Sequence, residues 1–163
     1  MKISTALFCL FVFTACNWGE EEEIDLKPNI RPLQVQEQEM VLSSSQFAFD
    51  LFHEFQKKED VNQFFSPYSV HQALAMAMNG NEGEIEAEFM QVLRFEGMEL
   101  EEANQAAKSL TNYLLELDPK VRLAIANAIW YRQGLELNQE FAADVRDSFS
   151  AEIASLDMSN PQS

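Results

Sequence analysis

Only two cysteines stand in this 163-residue sequence, and neither is placed to staple a fold. Cys9 sits inside an apolar run near the start and Cys16 closes that run, so no pair remains for a disulfide in the body of the chain. Any fold must therefore be held by its core alone. Positive charge is equally scarce: 11 Lys+Arg stand against 27 Asp+Glu, a formal net of −16 at pH 7. That balance argues against nucleic acid and against electrostatic attraction to anionic lipid. Histidine is thin too, with His53 and His71 the only two. No apolar run reaches the roughly 20 residues a membrane-spanning helix needs.

What is present begins with a leader. One basic residue, Lys2, precedes "ALFCLFVFTA" from Ala6 to Ala15, a length that suits the apolar region of a secretory signal. The run ends in "FTAC", with small Ala15 before Cys16, and this resembles a bacterial lipobox in which the cysteine becomes the first mature residue and carries lipid. Phe13 stands where Leu is usual, so an ordinary cleaved signal is the alternative. Residues 1–16 are thus read as a signal peptide, Cys16 as the lipid-attachment site, and the mature chain as exported and held in the cell envelope or outside it.

Residues 17–42, "NWGEEEEIDLKPNIRPLQVQEQEMVL", read as an acidic flexible tether. Glu20 to Glu23 repel one another, and Pro28 and Pro32 break any helix. The four-glutamate run has no second ligand group, so a solvated spacer is preferred to a cation site.

From Ser43 the pattern becomes periodic. "SSSQFAFDLFHEFQKK" sets Phe47, Leu51, Phe52 and Phe55 on one helical stripe, with Ser43 and Gln46 as a capping box. His53 lies beside that stripe with no carboxylate or cysteine at a telling offset, and reads as a flank residue. Phe64–Phe65 then reads as a short strand ended by Ser66–Pro67. A second helix follows, with Ser69 as N-cap and Gln72 at its third position. Its body "ALAMAM" is apolar all round and should be buried on every side, until Asn79–Gly80 supplies a left-handed end. A third helix in "GEIEAEFMQVLRF" turns Ile85, Phe89, Val92 and Leu93 inward. Glu82, Glu84, Glu86 and Glu88 crowd its start, where the helix dipole favours negative charge; Glu86 points away from the Glu84/Glu88 face, which weakens a metal reading. A fourth helix runs through "EEANQAAKSLTNYLLEL", with Ala103, Ala106, Leu110, Leu114 and Leu117 on one side.

The period then falls to two. In "VRLAIANAIWYRQG" one face holds Val121, Leu123, Ile125, Asn127, Ile129 and Tyr131, the other Arg122, Ala124, Ala126, Ala128, Trp130 and Arg132. This predicts a strand over 121–131, longer than usual, with Asn127 a buried polar group that must find partners. "NQEFAADVRDSFS" predicts a fifth helix capped by Asn138, with Phe141, Val145 and Phe149 inward. "AEIASLDM" returns as a short strand, and Asn160–Pro161 is a helix-start signal. The class is α+β.

Two stretches resemble the serpin family. "NQFFSPYSVHQALAMAMNGNEGEIEAEFMQVL" is similar to its short strand, Ser-Pro-x-Ser turn, buried helix B, Asn-Gly break and helix C. "LAIANAIWYRQGLELNQEFAADVRDSFSAEIASLDMSNP" is similar to strand 2 of sheet A, helix E and strand 1 of sheet A, stopping where helix F begins. Ile85 departs from the threonine common beside the Gly-Glu. The resemblance implies that residues 43–163 form the N-terminal part of a serpin domain, helices A to E with the first strands of sheet A. The fold would be incomplete, because the match covers well under half of such a domain.

The resemblance also implies a mechanism. A serpin offers an exposed loop as bait to a serine or cysteine protease. After cleavage the loop inserts as a new strand of sheet A and carries the acylated protease with it, driven by conversion of a metastable sheet. Such a protein is not an enzyme and needs no cofactor or metal. Ser66 and Ser69 match the shutter beneath the point where sheet A parts; the plainer reading is that they cap the helix. The reactive bond would lie outside this chain, which would then not inhibit by itself. The competing expectation is an exported lipoprotein interaction module that keeps serpin helices only. A hydrolase built on Ser66 and His71, five residues apart, lacks nucleophile-elbow glycines and an orienting carboxylate.

Overall fold

A computed structural model of the chain describes residues 27–57 and 62–159. The expected leader, Cys16, the four-glutamate run and the Asn160–Pro161 start signal lie outside the described residues.

Helix α1 spans Val35–Gln56 and so takes in the end of the expected tether. Pro32 precedes the helix instead of interrupting it, and the Gln/Glu-rich stretch after it is made of good helix formers. Glu37, three residues beyond the N-cap Gln34, accepts the Gln34 backbone N–H at 2.8 Å. The capping role expected of Ser43 and Gln46 is therefore unnecessary. Ser43 sits in mid-helix, its hydroxyl 2.6 Å from the Arg94 carbonyl oxygen and 2.9 Å from that of Glu39. Of the phenylalanine stripe, Phe47 is fully packed, while Phe52 and Phe55 stay partly open and meet Phe65. Val35, Leu42 and Phe49 recur every seven residues along the helix, and all three are exposed. His53 is exposed, as a flank residue should be.

Phe64–Phe65 does not form a strand. Among the described residues no segment offers it a ladder, and Phe64 is wholly solvent-facing. Helix α2, Pro67–Met78, is capped by Ser66 rather than Ser69, because Pro67 fits the first helical position, where its missing N–H costs nothing. Within "ALAMAM", Ala75, Met76 and Met78 are buried while Ala73 and Ala77 are exposed, so the helix is wrapped on one side instead of all round. It ends at Asn79 in right-handed geometry, φ −60°, without the expected left-handed residue.

Helix α3, Glu84–Val92, is short; Leu93 just past its end is buried and Phe89 half-buried, but Ile85 and Val92 face solvent. Helix α4, Leu100–Glu116, buries Ala103, Ala106, Ala107 and Leu110 as its periodicity demands. Strand β1 is Ala128–Arg132, helix α5 is Gln139–Phe149 and strand β2 is Glu152–Leu156. Asn138 caps α5, accepting from Glu140 N at 2.8 Å and Phe141 N at 3.4 Å. The strands pair in parallel, from Ala128 opposite Glu152 to Arg132 opposite Leu156, with α5 as the crossover. The eleven-residue strand expected over 121–131 is thus cut to five: residues 122–127 run without a ladder partner, since β2 reaches only the later part. The two-residue alternation survives, with Ile125, Asn127, Ile129 and Tyr131 half-buried and Ala124, Ala126, Ala128 and Trp130 exposed.

Helix α1 packs on α4 and α2, α4 on α5, and α2 on α3. The core they enclose holds Met40, Phe47, Ala75, Met76, Met78, Leu93, Phe95, Ala103, Ala106, Leu110, Val145 and Phe149. The fold is helix-rich, with a two-stranded parallel ribbon on one side among the described residues.

Candidate functional site

The Ser66–Ser69 turn opens onto a groove. Its walls are Ala73 and Met76 of α2, Leu114 of α4, and the segment from Leu123 to Ala128 that leads into β1. Proline at 67 and the capping geometry fix the two serines: Ser66 Oγ accepts the Ser69 backbone N–H at 3.3 Å, and the two hydroxyls lie 2.9 Å apart. Both are exposed at the groove's mouth. Beside them the Tyr68 hydroxyl meets Thr111 Oγ1 at 2.8 Å, tying α2 to α4; burial pushes the phenol's pKa up, partly offset by that bond.

Asn127 borders the same groove, just ahead of β1 and half-buried rather than enclosed within a long strand. Its partners are specific. The side-chain amide donates to the Phe149 carbonyl at 2.9 Å, and the Asn127 backbone carbonyl accepts Glu152 N at 2.9 Å. One residue therefore closes the last turn of α5 against the first residue of β2, where Ser150 takes the left-handed conformation, φ 51°.

The structure does not join Ser66 to His71. The His71 ring is fully buried, with Nε2 3.1 Å from the Leu93 carbonyl oxygen, while the Ser66 hydroxyl faces Ser69. No nucleophile–base pair is present there. Among the described residues no cluster of three or more histidine, cysteine or carboxylate groups is disposed to hold a metal, so Glu82, Glu84, Glu86 and Glu88 remain a charged helix start.

One polar centre was not singled out by the sequence. Glu37 is fully buried and accepts from Arg31 at 2.7 Å through each oxygen, from Ser109 Oγ at 2.6 Å and from Gln34 N at 2.8 Å. The Arg31 guanidinium, with help from Ser109 and Gln34, holds the carboxyl at a pKa of about 2 against the opposing effect of burial. Arg31 also lies over the Tyr113 ring, 4.2 Å from its centroid. Gln34 and Glu37 at capping-box spacing after Pro32 were the available signal; nothing local marks Ser109 or Tyr113.

Residues 42–163 match the family described as Serpin (serine protease inhibitor). The chain is 30% identical to the leukocyte elastase inhibitor of Bos taurus over 121 residues, 74% of this chain and 31% of that protein. It is 31% identical to the corticosteroid-binding globulin of Saimiri sciureus over 136 residues, 80% of this chain and 34% of that one. Its fold is similar to that of loop-cleaved lamprey angiotensinogen, with a TM-score of 0.68 at 22% identity over 78% of this chain and 37% of that one. The chain spans about a third of the length of these relatives.

Proposed function

The chain belongs to the serpin family, and on that premise we propose that it supplies the N-terminal helical layer and two strands of the central sheet to a serpin-type inhibitor of serine or cysteine proteases. Its role is mechanical, not catalytic. Residues 27–159 frame the sheet, and the bait loop belongs to sequence other than these residues. Export and attachment to a membrane through lipid on Cys16 complete the proposal, supported by "ALFCLFVFTAC" alone.

The observation that carries this reading is the open groove. Residues 122–126 run past Ser66, Ser69 and Ala73, with Ala124 and Ala126 as small side chains and their backbone unpaired, up to Asn127, whose carbonyl accepts the Glu152 N–H. Such a line of free donors and acceptors favours a further strand over solvent. Two hydroxyls beside it suit exchange of hydrogen-bond partners as strands part and rejoin.

Incubation with chymotrypsin-, elastase- and papain-type proteases tests the proposal. The 163-residue chain alone should form no adduct resistant to denaturing gels. The same chain joined to the serpin segments that complete the domain should form one, with a cleaved loop. A second reading, a serpin-type binding protein that does not inhibit, is favoured by the likeness to corticosteroid-binding globulin. It is supported instead if the completed domain is cut without trapping any protease.

A further inference from the structure

His71 has an environment that the serine groove does not use. Its ring is fully buried on α2 and edge-on to two phenylalanines: Phe47 of α1, with centroids 5.2 Å apart, and Phe95 in the α3–α4 connection, at 5.0 Å. Nε2 lies 3.1 Å from the Leu93 carbonyl oxygen, so this nitrogen carries the proton and donates. Nδ1 is left as the bare lone pair, buried and without a hydrogen-bond partner among the described residues. A neutral ring suits this box well. A charged one does not, because the second N–H would point at aromatic carbon with no acceptor.

We propose that His71 is a proton-sensitive latch: its neutral ring clasps α1, α2 and the α3–α4 connection together, and protonation releases them. From α2 the ring meets α1 through Phe47 and the α3–α4 connection through Leu93 and Phe95, so one proton acts on three segments at once. The charged groups on the surrounding elements do not relieve it. Asp50 of α1 pairs with Arg94 at 2.7 Å, and Arg94 also faces Glu96 at 4.0 Å, all at the surface. Glu84, Glu86 and Glu88 belong to the first five residues of α3, and Glu84 and Glu88 are exposed. Glu140 and Asp144 of α5 line the groove at the Gly80 end of α2. Helix α2 itself carries no other ionisable side chain than Tyr68, which is bonded to Thr111. Burial lowers the affinity of the ring for a proton, and the Leu93 carbonyl offsets this only in part.

The sign follows from linkage. The unfolded histidine binds a proton more readily than the buried one, so the latch contributes stability above about pH 6.5 and loses it as the pH falls below that value. Amide exchange followed by NMR across about pH 7.5 to 5 in the full 163-residue chain tests this, with exposed His53 as the reference ring in the same spectra. The expected result is that His71 takes up its proton only as protection at Phe95 and along α2 is lost. Once opening is linked to one proton, the protection factor there (the intrinsic amide exchange rate over the observed one) should fall about tenfold for each unit the pH drops. His71→Gln keeps a donor for Leu93 and cannot charge, and should abolish that pH dependence; His71→Phe should do so with the ring volume retained. Protonation of His71 with protection intact, or an unchanged acid profile in either variant, would overturn the proposal.

Discussion

Arg31 and Glu37 form a two-pronged ion pair, 2.7 Å through each oxygen, that pins the segment before α1 onto the helix it precedes. Ser109 of α4 completes it, so a single carboxylate joins the entering chain, α1 and α4. A buried charge stripped of its partners is costly, whereas the pair itself is a weak net stabiliser. Glu37→Ala, which leaves Ser109, Gln34 N and Arg31 without their acceptor, should destabilise the fold by about 2 kcal/mol, read as a shift in the urea midpoint at unchanged slope.

The same carboxylate sets an acid limit. Its pKa is depressed to about 2, below the ordinary 4.5. Its stability contribution is therefore fully present above about pH 4.5 and lost as the pH falls from there toward 2. Urea titrations at pH 6, 4 and 3 should show the loss in the parent chain and a flatter profile in Glu37→Gln. This window lies below that of His71, so the two groups separate by pH as well as by mutation.

Ser66 and Ser69 can be distinguished although their hydroxyls touch. Ser66 caps α2, and Ser66→Ala should cost about 1 kcal/mol in the thermal or urea transition. Ser69→Ala keeps the cap and should change that transition by less than half as much. If Ser69 serves only the helix, its loss should leave protease trapping by a completed domain unchanged. A role in strand exchange predicts an altered ratio of trapped to merely cleaved product.

Asn127 ties Phe149 to Glu152, and its replacement should loosen one junction without emptying the core. Asn127→Ala leaves the Phe149 carbonyl unpaired at a cost of about 1 kcal/mol. Faster amide exchange should be confined to residues 150–153, which native-state exchange would read directly.

The helices were legible because their signals are local. The spacing of Ala103, Ala106 and Leu110, the Asn138 cap and the two-residue alternation around Asn127 all survive in the structure. What misled were features that depend on a partner distant in sequence. The alternation matches the burial only from Ile125 to Tyr131, with Val121 and Leu123 exposed, because pairing needs a second strand and β2 reaches only the last part. Phe64–Phe65 has strand-forming residues and no ladder. The start of α1 was hidden because Gln- and Glu-rich sequence reads as solvent-loving until Arg31 and Ser109 are brought to Glu37 from opposite directions. At the groove, the Ser66–Ser69 motif was visible at once, whereas its facing wall, Leu123 to Ala128, emerged only with the fold.

On the proposed reading, these residues frame a larger sheet and leave faces for more protein to cover. Phe64 is wholly exposed, Phe49 is 73% exposed, and Leu42 and Trp130 are more than half exposed. With residues 122–126 unpaired as well, the isolated chain has both apolar surface and an open backbone edge. Sedimentation velocity over a concentration series, with an apolar-surface dye added in parallel, tests this most directly. The account predicts association that grows with concentration and strong dye fluorescence from the 163-residue chain. A single monomeric boundary at every concentration, with no dye response, would contradict it.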